Sequence, residues 1–160
     1  MKIISNNHNT QIVPGCGLDT KFLTNKSKII NKKNILMVAR IQKEKGVLNF
    51  LKLSSIHKNQ GFKFILVGEY NHNNPDRVSK HILDQHISEG DIYYKEYTED
   101  IDKIYADADC LILPSYREGI STVLLEAAAM RIPIITSDVP GCNDIIKDAS
   151  FGFLCKPNDT

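Results

Sequence analysis

A chain of 160 residues, 42% hydrophobic and 24% charged, has the composition of one soluble globular domain, long enough to bury about two-thirds of the surface its unfolded form exposes. The 20 lysines and arginines nearly balance the 19 aspartates and glutamates, for a net charge of +1, so no nucleic-acid partner is expected and no acidic membrane is demanded. The four cysteines, Cys16, Cys110, Cys142 and Cys155, form no C-x-x-C pair and are not joined by histidines at ligand spacing, which argues against a metal site or a disulfide framework and for a reducing, cytoplasmic compartment.

In chain order, MKIISNNHNT reads as no signal peptide, and no apolar run approaches the length that spans a bilayer. Residues Gln11–Val13 are expected to form a short strand running into PGCGLD, a turn whose two glycines lack the six-residue dinucleotide fingerprint. The lysine- and asparagine-rich stretch that follows, with Lys26, Lys28, Lys32 and Lys33, has no aromatic interleaving and reads as a solvated connector in preference to a binding patch. Residues 1–33 are therefore taken as an interdomain strand and connector. From Asn34 the rhythm changes. ILMVAR is a continuous apolar run of the kind buried on both faces of a parallel sheet. Val47, Leu48, Leu51 and then Ser55 with Ile56 recur at helical spacing. FKFILVG, Phe62–Gly68, is a second buried-type strand, and Asp76 is placed to cap a helix carrying Val78, Ile82, Leu83 and Ile87.

Ile92–Tyr94 is read as a strand, Ile101 to Ala108 as a short helix, and Cys110–Pro114 as a strand. A loop and helix follow in PSYREGISTVLLEAAAM, then a strand at Pro133–Thr136, a short helix at Asn143–Lys147 and a last strand at Phe151–Cys155. Strands alternating with helices specify an α/β fold, a Rossmann-like doubly wound parallel sheet of about six strands. The last strand is followed by no covering helix, so the chain is expected to be one domain of something larger. Ligands of such sheets sit beyond the carboxyl ends of the strands. Those ends fall at Ala39–Gly46, Gly68–Pro75, Tyr97–Asp100, Pro114–Ser121 and Ser137–Asn143.

The chemistry concentrates in PSYREGISTVLLEAAAM. A glycine-bearing loop that meets a helix N-terminus beyond a parallel strand makes an anion site, from the backbone N–H groups near Ile120 to Leu124 and the helix dipole. Ser121 or Thr122 either caps this helix or bonds a phosphate. Glu126 is the one charge in a helix that is apolar nearly all round, and an unpaired buried carboxylate would neutralise rather than stay charged. It needs partners: an internal ion pair, a backbone bond, or the two hydroxyls of a ribose. Glu118 is either an exposed loop charge or a ligand for the hydroxyls of a second sugar. Arg40 and Lys45, in ARIQKEKG, could neutralise a diphosphate, although cations in a loop are commonplace. DVPGCND, Asp138–Asp144, reads as a βα turn near the ligand mouth.

The ordered set IVPGCGLD, ARIQKEKG, PSYREGISTVLLEAAAM, DVPGCND and FGFLCKPND resembles the C-terminal half of retaining GT-B glycosyltransferases of the "glycosyl transferase group 1" family, in wording close to bacterial enzymes that build capsule, O-antigen or lipid-linked glycans. The resemblance covers the chain from about Gln11. It implies that residues 34–160 are the nucleotide-sugar donor-binding domain, with an N-terminal Rossmann-like acceptor domain of the same enzyme and a C-terminal helix absent here. It implies catalytic roles for Arg40 and Lys45 on the donor diphosphate and for Glu118 at the donor sugar. It places Glu126 on the ribose and the backbone at Gly119, Ile120, Ser121 and Thr122 on sugar and phosphates. It further implies no divalent metal and no cofactor, a UDP-sugar donor, a lipid-linked acceptor, and a cytoplasmic enzyme held at the inner face of the membrane through the missing domain. Family members usually carry glycine just after the helix, where this chain has Arg131; a left-handed Arg131 would cost about 1 kcal/mol. Two other readings stand beside this one. A non-catalytic nucleotide-sugar-binding module from a split or truncated gene would share the fold and lack the N-terminal partner. A flavodoxin-like domain would give Arg40, Lys45, Glu118 and Glu126 no common purpose.

Overall fold

The computed structural model describes Gly17, Leu18 and residues 33–157. The expected strand at Gln11–Val13, most of the PGCGLD turn, the lysine-rich connector up to Lys32 and the last three residues lie outside the described residues.

Six parallel strands, β1 (Asn34–Val38), β2 (Lys63–Val67), β3 (Tyr93–Lys95), β4 (Cys110–Leu113), β5 (Ile134–Ser137) and β6 (Phe153–Cys155), form one sheet in the order β3-β2-β1-β4-β5-β6. Four helices connect them: α1 (Val47–His57), α2 (Lys80–Ser88), α3 (Ile101–Asp107) and α4 (Thr122–Ala129). Right-handed crossovers put α1 and α2 on one face and α3 and α4 on the other. The central strands are buried on both faces, which is why they read as unbroken apolar runs: Leu36, Met37 and Val38 in β1 and Leu111, Ile112 and Leu113 in β4 are all in the core. The chain moves outward from β1 to β3, then returns to lay β4 against the other side of β1. That reversal makes the carboxyl ends of β1 and β4 the topological switch point of the sheet.

Four local expectations need correction. The buried face of α1 is Val47, Phe50, Leu51 and Ser54, while Leu48 and Ile56 are exposed. In α2 only Leu83 is fully buried. Asp76 does not cap α2, which starts at Lys80 after Ser79. Its Oδ2 accepts the Glu44 N–H at 3.0 Å instead, so it caps the short 3-10 turn Lys43–Lys45 of a distant loop. Residues 143–147 form no helix; the segment after β5 is a run of turns, held by the N–H groups of Ile145 and Ile146 donating to the Cys142 carbonyl. Arg131, just past α4, is left-handed at φ 56°, as its place at a position suited to glycine implied.

Candidate functional site

Three loops converge at the carboxyl ends of β1, β4 and β5, and two glycines set how close they come. Gly46, at φ +73°, faces Pro114 so tightly that a Cβ there would lie 2.0 Å from the Pro114 carbonyl oxygen. Gly141, at φ +86°, would place a Cβ 1.5 Å from the Gly119 carbonyl oxygen. Any side chain at either point would force the loops apart. The Tyr116 N–H donates to the Glu44 carbonyl at 2.8 Å, and its hydroxyl bonds Asn49 Oδ1 at 3.1 Å, which fastens the loop after β4 to the one after β1.

This closure brings together two residues 73 positions apart. Lys45 Nζ lies 2.9 Å from Glu118 Oε2. Their side chains are 15% and 10% exposed, so Glu118 is not the exposed loop charge that its position allowed. Its second oxygen, Oε1, accepts the Ser115 hydroxyl at 2.7 Å. Ser115 is fully buried and was missed from the sequence, although a small hydroxyl residue three before Glu118 was a signal. Beneath lies Cys142, buried, whose thiol burial pushes up while a bond with Thr136 pulls it down, and which feels the charges of both Glu118 and Lys45. Arg40 stands apart: its side chain is 58% exposed, and its nearest acid is Glu44, at 4.0 Å.

Next to this pair, α4 begins. Ser121, buried, precedes it without a side-chain cap bond. The Leu125 N–H donates to the Ser121 carbonyl at 3.2 Å, so the N–H groups of the first turn have no acceptor within the helix. Gly119 and Thr122 are exposed and Ile120 is half-buried. The helix is less enclosed than its apolar sequence suggests, since Leu124 and Ala127 alone are fully buried. Glu126 sits one turn in, half-buried. Its partner is neither an ion pair nor a backbone group. The hydroxyl of Tyr105, on α3, donates to Glu126 Oε2 at 2.7 Å. Burial pushes the Glu126 carboxyl above the usual range, and this bond pulls it back only in part. Burial, then the charge of Glu126 and the bond to it, push the Tyr105 hydroxyl far up. Tyr105 entered the sequence reading only as a helix residue, yet a buried tyrosine needs a hydroxyl partner as much as a buried glutamate needs a donor.

A lysine, a carboxylate beside it and the N-terminus of α4, the kind of end that favours anions, thus meet where the sheet reverses its strand order, the place where ligands of such sheets bind. The family model for "Glycosyl transferases group 1" matches residues 19–160. The chain belongs to this family. It is 35% identical over 128 residues to the N,N'-diacetylbacillosaminyl-diphospho-undecaprenol alpha-1,3-N-acetylgalactosaminyltransferase of Campylobacter jejuni, covering 79% of this chain and 32% of that protein. It is 26% identical over 136 residues to the capsular polysaccharide biosynthesis glycosyltransferase CapM of Staphylococcus aureus, covering 82% of this chain and 35% of CapM. The chain thus spans about a third of the length of these relatives. Among solved structures, Anabaena HepE in complex with UDP and glucose matches with a TM-score of 0.72 over 88% of this chain and 42% of HepE, at 18% identity. That likeness is one of fold, and it agrees with the Rossmann-like parallel sheet of this chain.

Proposed function

We propose that this chain is the donor-binding domain of a retaining, metal-independent glycosyltransferase. In this reading the enzyme moves a sugar from a UDP-sugar to a lipid-linked glycan in surface-polysaccharide synthesis. The observation that carries the reading is the meeting of Lys45, in the loop after β1, and Glu118, in the loop after β4, at 2.9 Å, beside the first turn of α4. Membership in the family supports transfer chemistry. The name of the Campylobacter relative supports a diphospho-undecaprenol acceptor, that of CapM a capsular product, and the HepE complex a UDP donor.

In this assignment the donor diphosphate lies between Lys45 and the N–H groups at the start of α4, and the exposed Arg40 folds in over it. Charge that develops on the departing diphosphate is met by fixed cations and dipoles, which need no reorganisation as the bond breaks. Lys45 and Glu118 exchange their mutual bond for donor groups: phosphate oxygens for Lys45, sugar hydroxyls for Glu118. Glu126 accepts the ribose hydroxyls. Retention follows when the acceptor attacks from the face the diphosphate leaves, with the leaving phosphate taking the acceptor's proton; Glu118 then positions the sugar. Acceptor contacts, and attachment to the cytoplasmic face of the membrane, belong to an N-terminal domain.

The test is a titration of the 160-residue chain with UDP, GDP and ADP, followed by NMR of the α4 amides, and repeated on Glu126→Ala. Perturbation of α4 by a nucleotide, lost in Glu126→Ala while the remaining spectrum stays folded, supports the reading. Silence toward all three nucleotides removes its main support. The chain alone should bind nucleotide weakly and transfer nothing; sugar transfer by the pure chain would show that no second domain is required.

A further inference from the structure

We infer that Tyr105 is a positioning residue of the nucleotide site: its buried hydroxyl holds one oxygen of Glu126 and thereby orients the other toward the ligand. This rests on the ribose reading of Glu126 given above. It starts from the uneven way the carboxylates of this domain are satisfied. Glu118 has a partner on each oxygen, Ser115 on one and Lys45 on the other. Asp91, at the opposite end of the sheet, also has both taken, Oδ1 by Lys58 and Oδ2 by His86 and Ser55. Glu126 has one: Oε2 takes the Tyr105 hydroxyl at 2.7 Å, and Oε1 has no hydrogen-bond partner among the described residues. A carboxylate with both oxygens taken must exchange a partner to bind a ligand, as Glu118 would, or else serves the fold alone, as Asp91 does. A half-occupied one, at the boundary between core and solvent, is held ready for donors from outside the fold.

The holder is well chosen for this. Tyr105 is fully buried in α3, so its ring is fixed by packing and its hydroxyl has one direction open to it. Burial and the neighbouring charge of Glu126 keep that hydroxyl protonated, so it stays a donor and never competes as a base. The bond also opposes the effect of burial on Glu126 and helps keep the acid ionised. Tyr97, in the loop after β3, also bears on the pair: its charge would raise the Tyr105 hydroxyl further. A long flexible glutamate pinned at one oxygen has lost its rotamer freedom before the ligand arrives, which is the physical content of preorganisation.

The experiment uses the 160-residue chain with Tyr105→Phe, which keeps the ring and removes the donor. Two quantities are read: the titration of the Glu126 carboxyl by carbon NMR, and the ratio of affinities for UDP and 2′-deoxy-UDP. In Tyr105→Phe the Glu126 titration should move to higher pH, UDP should bind about five- to tenfold more weakly, and the preference for UDP over 2′-deoxy-UDP should narrow. Incorporation of 3-fluorotyrosine, a stronger donor of nearly the same shape, should move the titration the other way, and it serves as the readout if Tyr105→Phe does not fold. A Glu126 titration unmoved by either change overturns the inference. If the UDP preference collapses in Glu126→Gln but keeps its wild-type value in Tyr105→Phe, the positioning role fails and the ribose reading stands. If Glu126→Gln keeps the wild-type preference, the ribose reading itself fails.

Discussion

The two ends of the sheet hold their buried acids in opposite ways. At the amino ends of the strands Asp91 is almost completely enclosed and ties three parts of the chain together: Lys58 and Ser55 from the end of α1, His86 from α2, and its own turn leading into β3. Burial alone would raise its carboxyl, but the bonds from Lys58, Ser55 and His86 outweigh it and hold the group at about 2. At the carboxyl ends Glu126 has one donor, and burial wins. One carboxylate is ionised because the fold gains from it; the other costs the fold something to keep charged. In the proposed reading Asp91 is a clasp of the fold and Glu126 a site group kept at some loss of stability.

The sharpest way to break the contrast is Asp91→Asn. It should lower the unfolding free energy in urea by about 2–4 kcal/mol and leave UDP binding at the far end unchanged. Because the folded value of about 2 lies below the unfolded value of about 3.9, the contribution of Asp91 is fully present above about pH 4. It is lost as the pH falls through about 2. The variant should therefore show a flatter acid limb in its stability profile. Gly141→Ala acts at the other end. A Cβ 1.5 Å from the Gly119 carbonyl must push the loop after β4 away, costing about 2–3 kcal/mol. Unlike Asp91→Asn it should also weaken UDP binding, about tenfold or more, measured by calorimetry.

Arg131→Gly tests strain that has no bearing on the site. Relief of the left-handed backbone at Arg131 should raise stability by about 0.5–1 kcal/mol, with nucleotide affinity unaltered. Smallest in stability is Glu126→Gln, about 0.5 kcal/mol in the stabilising direction, because the amide still accepts the Tyr105 hydroxyl and carries no buried charge. The sign follows from the raised carboxyl: its favourable contribution is present at low pH and is lost as pH rises through the folded value. A loss of several kcal/mol on Glu126→Gln would place Glu126 with Asp91 among the clasps.

The sheet was legible because its central strands are buried on both sides and so spell themselves as apolar runs. Glu126 was legible as an anomaly, a charge where the pattern wanted none, but its partner lies 21 residues back on another helix, and no local rule links them. The burial of Glu118 was not legible, since it exists only once β4 lies beside β1 and brings Lys45 across. Asp76 illustrates the same limit. A capping residue read locally belongs to the nearest helix, whereas here it serves a turn 32 residues away. The helix expected at 143–147 failed for a different reason: the turn of Asp138–Asp144 folds on itself, with the Gly141 N–H bonded to Asp144 Oδ2 at 3.0 Å.

The jump from β3 back to β4 also has a consequence in time. Ile35 with Cys110, and Leu36 with Leu111, are the pairings that join the two halves of the sheet, and each closes a long stretch of chain, the slow kind of contact in folding. Lys45 and Glu118 stand on opposite sides of that seam. A half-folded chain with β1 to β3 assembled therefore carries the lysine without the acid, and the proposed nucleotide affinity would arise only when the seam is shut. Donor present during refolding should leave the rate of seam closure alone and slow its reopening, so that a bound nucleotide would act as a latch on the closed seam.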